Sequence, residues 1–278
     1  MKKHLSAHLR LPLIFLALYV AAAALLFAFQ KSFIYVPAVG AEPPSAFGMD
    51  GVMVTHLQTA DGEELEVWSS AATPGRPTIA FFHGNAGNLS DRAPTLGMFK
   101  AKGYGFVAMD YRGYGNSTGT PSEQALYDDG RLVLDTIINV MQIPASSVIL
   151  YGESLGTGIA TTLAAELGVA GLVLQSPYTS VAEAAKRQFF WLPVDLLLTE
   201  RFSNIDKIAR VHEPVLILHG LEDSLFPVSM AKDIEAMATT KVSSAYFANV
   251  GHNDLSVVDI GLHLDNFVAL LAHEPPIR

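Results

Sequence analysis

Cysteine is missing from all 278 residues. Its absence excludes disulfides, a thiolate nucleophile and cysteine-ligated zinc together. It leaves the compartment open, because a cysteine-free fold works in reducing and oxidising surroundings alike. Charge is sparse, at 16% of residues, and positive charge is the scarcer kind, with 18 Lys and Arg against 27 Asp and Glu and a formal net charge of −9. There is no run of basic residues, so the clustered cations that neutralise phosphates are lacking and no nucleic-acid partner is expected. The acidic excess reads most simply as solubility. No internal repeat is visible. No His, Asp and Glu spacing suggests a metal, and no nucleotide or flavin motif occurs, so neither metal nor cofactor is expected.

Half of the chain is apolar, which favours a packed core over disorder. The apolar residues are densest at the start. Residues 11–29, LPLIFLALYVAAAALLFAF, carry no charge over nineteen positions, roughly 29 Å of helix and close to the thickness of a bilayer's hydrocarbon core. Lys2, Lys3 and Arg10 precede this run and only Lys31 follows it closely. That asymmetry predicts a cytoplasmic N-terminus, with the rest of the chain on the opposite, periplasmic or extracytoplasmic side. A cleaved signal peptide is the competing reading, with Ala21–Ala24 offering small residues to a peptidase. Leu25, Leu26, Phe27 and Phe29 carry the apolar run past that point and favour an anchor. The expected organisation is a stub and transmembrane anchor over 1–31, a Pro- and Gly-bearing linker over 32–50, and a single domain over 51–278.

Residues 52–59 and 64–69 flank Asp61-Gly62 and predict a two-strand hairpin. Beyond it, short apolar runs at 78–82, 105–110, 147–151, 171–174, 214–218 and 245–248 alternate with helical patterns at 91–102, 122–141, 154–167, 228–239 and 255–273. This rhythm predicts an α/β fold, a mostly parallel sheet with helices on both faces. Residues 176–213 are too long for a plain connection and read as a small cap. Its Phe189, Phe190, Trp191, Leu192 and Leu196–Leu198 suit an apolar wall of the substrate pocket, an ordinary core helix, or a membrane-touching patch.

Chemistry concentrates at the ends of the apolar runs. Gly152-Glu153-Ser154-Leu155-Gly156 lies between a strand and a helix, the setting that gives G-x-S-x-G its meaning as a nucleophile elbow. Flanking glycines suit a turn where a Cβ would strike the neighbouring strand and helix. A serine hydroxyl needs a base at neutral pH, and imidazole suits that task. Of nine histidines, His252 alone follows the last strand on a loop, in NVGHND. The orienting acid is expected after the preceding strand, where HGLEDS offers Asp223, with Glu222 as its rival. The order Ser154, Asp223, His252 suits this architecture. Asp254 is read as a cap of the last helix. Backbone N–H groups of Asn85 or Ala86, in FFHGNAGN, and of Leu155 are the candidate oxyanion hole. His83 reads as structural. Arg112, in DYRGYGNS, reads as the partner of a buried acid, and the loop lacks the Lys-Ser/Thr ending of a P-loop.

FFHGNAGN, DYRGYGNSTGTPSE, YGESLGTG, SPYTS, HGLEDSLFP and GHND, in this order, resemble the Bem46-like branch of the α/β-hydrolase superfamily. That branch includes alpha/beta hydrolase domain-containing proteins 13 and 17. The likeness covers nearly the whole chain and implies the α/β-hydrolase fold, with Ser154, Asp223 and His252 on the triad positions. It implies hydrolysis of a carboxylic ester or thioester of a small or lipid-like acyl substrate. It reaches serine-peptidase members too and leaves the leaving group open. Proteins of the 17 type attach through an N-terminal palmitoylated cysteine cluster, which this chain does not have.

Overall fold

A computed structural model describes residues 7–257 and 259–272, so Lys2, Lys3, His4 and His273 lie outside the described residues. The first element is helix α1, Ala7–Ile34. It outruns the uncharged segment at its C-terminal end because residues 30–34 hold no breaker. It stops before Val36-Pro37, where proline restricts the preceding residue to extended backbone. Among the described residues it is the one helix long and apolar enough to cross a membrane, and its apolar window is unburied.

The stretch read as a linker, 32–50, lies against the domain. Strand β1 (Val36–Pro37) pairs in parallel with a short β5 (Ala86–Gly87), Val39 bridges Gly115, and Tyr35 and Met49 are buried. Asn88 holds this stretch through its side-chain amide, which donates to the carbonyls of Ala38 and Gly40.

Strands β2 (Met53–Gln58) and β3 (Glu64–Ser70) form the expected hairpin, with Gln58 opposite Glu64. Then β4 (Thr78–Phe82) leads through β5 to α2 (Ala93–Ala101), β6 (Gly105–Met109) and α3 (Glu123–Asp135). Next come β7 (Val148–Glu153), α4 (Leu155–Ala164), β8 (Gly171–Gln175), α5 (Val181–Gln188) and α6 (Val194–Leu197). The chain closes with β9 (Val215–Gly220), α7 (Val228–Met237), β10 (Val242–Phe247) and α8 (Ile260–Leu271).

Eight strands form one sheet in the order β10-β9-β8-β7-β4-β6-β3-β2. Only β3 runs opposite to the other seven strands. The alternation of side chains along each strand divides the core in two. Ala80, Phe82, Leu150 and Ile217 face α3, α4 and α7 through Val133, Ile159 and Ile234. Ile79, Phe81, Ile149 and Leu216 face α2 and α8 through Phe99, Leu264 and Phe267. Covered on both faces, the central strands read as unbroken apolar runs.

Arg112 is buried and grips Asp129 with Nε and Nη2, each at 2.8 Å, while Asp61 accepts from Nη1 and Nη2. This clamp joins the β2–β3 turn to α3. The cap segment departs from its leading expectation. Phe189, Leu192, Val194 and Leu197 line an apolar groove with Leu26, Phe27 and Phe33 of α1, and the cleft at Ser154 is built from other residues. The apolar flank of α1 offers these side chains a matching surface that the polar strand-end cleft does not.

Candidate active site

One residue separates β7 from α4. Ser154 has φ 50° and ψ −115°, a region that costs a non-glycine residue energy and persists only where neighbours enforce it. The neighbours are close. A Cβ on Gly152 would lie 2.5 Å from the Gly156 carbonyl oxygen, so only glycine allows strand and helix to meet at this angle. The Ser154 N–H donates to Gln175 O at 2.8 Å, tying the turn to the end of β8. Ser154 is largely buried, with its hydroxyl turned to the loop that follows β10.

That loop brings His252. Its Nε2 lies 2.9 Å from Ser154 Oγ and its Nδ1 lies 2.6 Å from Asp223 Oδ2. Asp223 is buried after β9, and its second oxygen accepts the N–H groups of Leu225 at 2.9 Å and Phe226 at 2.7 Å. Both carboxylate oxygens are therefore committed, which fixes the carboxylate plane and the imidazole tautomer behind it. The Phe226 ring meets His252 edge-on, with centroids 5.0 Å apart. Gly220 lets the two loops close, since a Cβ there would lie 2.2 Å from Val250 O. Behind Asp223, His219 donates from Nε2 to Phe226 O at 2.8 Å, and burial holds its pKa below the usual histidine value.

Glu222, the rival orienter, is exposed. Asp254 accepts from Gly251 N–H within the loop, and the last helix is capped instead by Asp259, which accepts from Leu262 N–H. The expectation for Asp254 is corrected accordingly: it opens a short 3-10 turn, Asp254–Val257, ahead of α8.

The cleft beside Ser154 has a volume of about 480 Å³, and Asn85, Ala86, Arg92, Glu153, Ser176 and His252 all border it. Leu155 opens α4, where unpaired backbone N–H groups and the positive end of the helix dipole meet. The Asn85 side chain donates to Ile34 O, and its carbonyl accepts from Val36 N–H and the Tyr114 hydroxyl. The expected donors Asn85 and Ala86 thus stand at the border of the cleft that holds Ser154.

Three features here escaped the sequence reading. Arg92 binds both Glu153 oxygens, at 3.1 and 3.0 Å, and the Ala86 carbonyl at 3.1 Å, joining the Asn85–Ala86 loop to the elbow. An arginine at a helix start carries no sequence signal for that role. Ser176, also at positive φ, approaches the His252 carbonyl at 3.4 Å; it opens the SPYTS motif, which was the available clue. Asn204 reaches back from the cap to Thr157 Oγ1, whose hydroxyl donates to Ser154 O. His83 is buried as expected. Its Nδ1 bonds Gly84 O, its ring stacks on Tyr111, and burial pushes its pKa down to about 3. Among the described residues no group of three or more His, Asp or Glu is arranged to hold a metal.

A family model described as "Serine aminopeptidase, S33" matches residues 73–204. An uncharacterized Mycobacterium tuberculosis protein, Rv2307c, is 33% identical over 259 residues, 92% of each chain. Alpha/beta hydrolase domain-containing protein 17C of Xenopus tropicalis is 30% identical over 233 residues, 82% of this chain and 72% of that one. Among solved structures, the Pyrococcus furiosus esterase Pf2001 shares the fold with a TM-score of 0.67 at 16% identity, covering 85% of this chain and 96% of its own. Protein bem46 of Schizosaccharomyces pombe is a further relative. With this sheet order, this elbow and these relatives, the chain belongs to the α/β-hydrolase family, in the branch of Bem46 and the 17C proteins.

Proposed function

We propose that this chain is a membrane-anchored serine hydrolase that cleaves carboxylic ester or thioester bonds through Ser154, His252 and Asp223. The observation that carries the reading is the hydrogen-bond chain from Ser154 Oγ to His252 at 2.9 Å and from His252 to Asp223 at 2.6 Å. His252 Nε2 takes the hydroxyl proton as Ser154 Oγ attacks the acyl carbonyl. Negative charge gathers on the carbonyl oxygen, where the N–H of Leu155 and those of Asn85 or Ala86 receive it. His252 then returns the proton to the departing alkoxide or thiolate, leaving an acyl-enzyme. Water repeats the sequence: His252 takes its proton, the carboxylic acid leaves, and Ser154 recovers its hydrogen. Asp223 holds the tautomer and stabilises the imidazolium in both halves.

The test is labelling with a fluorophosphonate, which reacts only with an activated serine. The native chain labels and Ser154→Ala does not. A folded native chain that stays unlabelled would sink the reading. The serine-aminopeptidase description of the family model favours a second reading, peptide-bond cleavage at the same serine. Parallel panels of p-nitrophenyl esters, acyl thioesters and aminoacyl arylamides separate the two.

The anchor belongs to the same proposal: residues 1–31 form the stub and span, with the N-terminus cytoplasmic and the hydrolase domain over 51–278 on the far side. The uncharged helix and the N-terminal bias of Arg10 and the preceding lysines support that orientation. Protease accessibility of the domain in sealed, right-side-out vesicles checks it.

A further inference from the structure

Between Arg10 and Lys31, α1 carries two polar side chains, Tyr19 and Gln30. Both turn to the cap segment. The Tyr19 hydroxyl donates to the Trp191 carbonyl at 3.2 Å, and the two rings meet edge-on with centroids 6.0 Å apart. The Gln30 amide donates to Leu197 O at 3.3 Å, and its oxygen accepts from Thr199 N–H at 2.8 Å. Tyr19 and Gln30 are eleven residues apart, about 16 Å along a helix. The segment from Leu197 to Trp191 therefore runs down the flank of α1 toward the middle of the span.

Its outer surface is apolar. Phe190 and Leu196 are each 84% exposed and Trp191 43%. They continue the exposed apolar surface of α1, which includes Phe15, Leu18, Leu25 and Phe29. A patch of this kind marks an interaction site. Irregular backbone is tolerated at membrane depth only where protein satisfies its polar groups. Tyr19 and Gln30 do that for the Trp191 and Leu197 carbonyls, and the tyrosine hydroxyl gains a partner it would otherwise lack in hydrocarbon.

The surroundings agree. Lys186 and Arg187 close α5 just before the aromatic cluster, Arg201 follows α6, and Lys31 ends the span. Basic and aromatic residues at the border of an apolar segment are the signature of a membrane interface. Asp195 is the one acid within 189–198, and Lys186 pairs it at 2.9 Å.

We propose that residues 189–198 are immersed in the bilayer beside α1, with lipid acyl chains covering Phe190, Trp191 and Leu196 and filling the groove along the helix. The hydrolase domain then sits against the membrane instead of hanging from a tether. The inference rests on the anchor reading.

The absence of cysteine makes the test direct. Full-length chains carrying Leu196→Cys, Phe190→Cys, Leu18→Cys or Val140→Cys are labelled with an environment-sensitive fluorophore. They are reconstituted in phosphatidylcholine vesicles with and without doxyl-labelled lipid. Leu18 reports the span, and Val140, exposed after α3, reports the aqueous domain. The expected result is a loss of emission at Leu196 and Phe190 comparable to that at Leu18, with none at Val140. Quenching at Leu18 alone would overturn the proposal and leave the anchor standing. No quenching at any site would remove the anchor and the proposal with it. Label self-quenching at Leu196 without lipid quenching would assign the face to a second copy of the chain and overturn the proposal.

Discussion

Gly156 approaches Phe82 so closely that a Cβ on it would lie 2.0 Å from the Phe82 carbonyl oxygen. Gly156 stands in the first turn of α4 and Phe82 ends β4, the strand that delivers the Asn85–Ala86 loop. This contact sets the spacing between Ser154 and the loop expected to hold the oxyanion. Gly156→Ala pushes helix and strand apart. The strain costs about 1–3 kcal/mol of stability. A displacement near 1 Å lowers kcat/KM on the order of 100-fold. Ester hydrolysis and thermal unfolding, measured on the same preparation, check both. Activity within a few-fold of native would show that the spacing is not critical.

Asp223→Asn separates charge from shape. The variant keeps an oxygen for the N–H groups of Leu225 and Phe226, and its NH₂ then faces His252 Nδ1. Nδ1 must become an acceptor, so the proton moves to Nε2, which can no longer take one from Ser154. A fall in kcat of about 10⁴-fold with an intact fold is expected. Circular dichroism and kcat together check it, and a loss of under tenfold would remove Asp223 from its role.

How far the sequence foretold this site depended on burial. The run 78–82 coincides with β4 because both of its faces are covered and Pro77 and Gly84 bound it. The last strand begins at Val242, three residues before the run read from the sequence, because Ser243 and Ser244 on this edge strand break the apolar pattern. Ser154, Asp223 and His252 were legible since each follows a strand on a turn with a local signature. The tie through Arg92, the buttress from Asn204 and the docking of Tyr19 on Trp191 were not. Each joins segments far apart in sequence, and no local pattern encodes such a meeting.

Arg92 is expected to act by positioning. It holds Glu153 on the elbow and Ala86 on the facing loop at once. Arg92→Met frees that loop and forfeits part of an oxyanion donor's contribution, roughly 3 kcal/mol when complete. A tenfold drop in kcat with KM nearly unchanged is the expected result. Arg92→Lys restores part of it, because lysine can pair Glu153 but cannot fork to both partners. A rise in KM at constant kcat would point to substrate binding instead.

The last prediction concerns stability. Asp110 and His83 are fully buried, with Asp110 Oδ1 3.6 Å from His83 Nε2. Among the described residues neither His83 Nε2 nor Asp110 Oδ2 has a hydrogen-bond partner. Burial pushes the Asp110 carboxyl up to about 8, while an unfolded aspartate titrates near ~4. Between those values the folded chain holds a proton that the unfolded chain has released. The contribution of Asp110 is therefore complete below the unfolded value and is lost as pH rises through about 8. His83 runs the other way: its pKa is depressed to about 3, so its contribution is present above the unfolded value and is lost only toward acid. Both chains compared below keep His83, so its slope, which fades only above pH ~7.5, drops out of the difference. Asp110→Asn fills the same space, keeps an acceptor for Leu89 N–H, and does not titrate. From pH ~6.5 to ~8 the native chain loses at most about 1.4 kcal/mol per pH unit relative to the variant. That difference moves the Tm of the native chain down relative to the variant by several degrees, on the order of 4–8 °C for a domain of about 240 residues. Thermal unfolding of both chains in the same detergent across that range is the measurement. A gap that stays constant with pH would mean that Asp110 is ionised throughout.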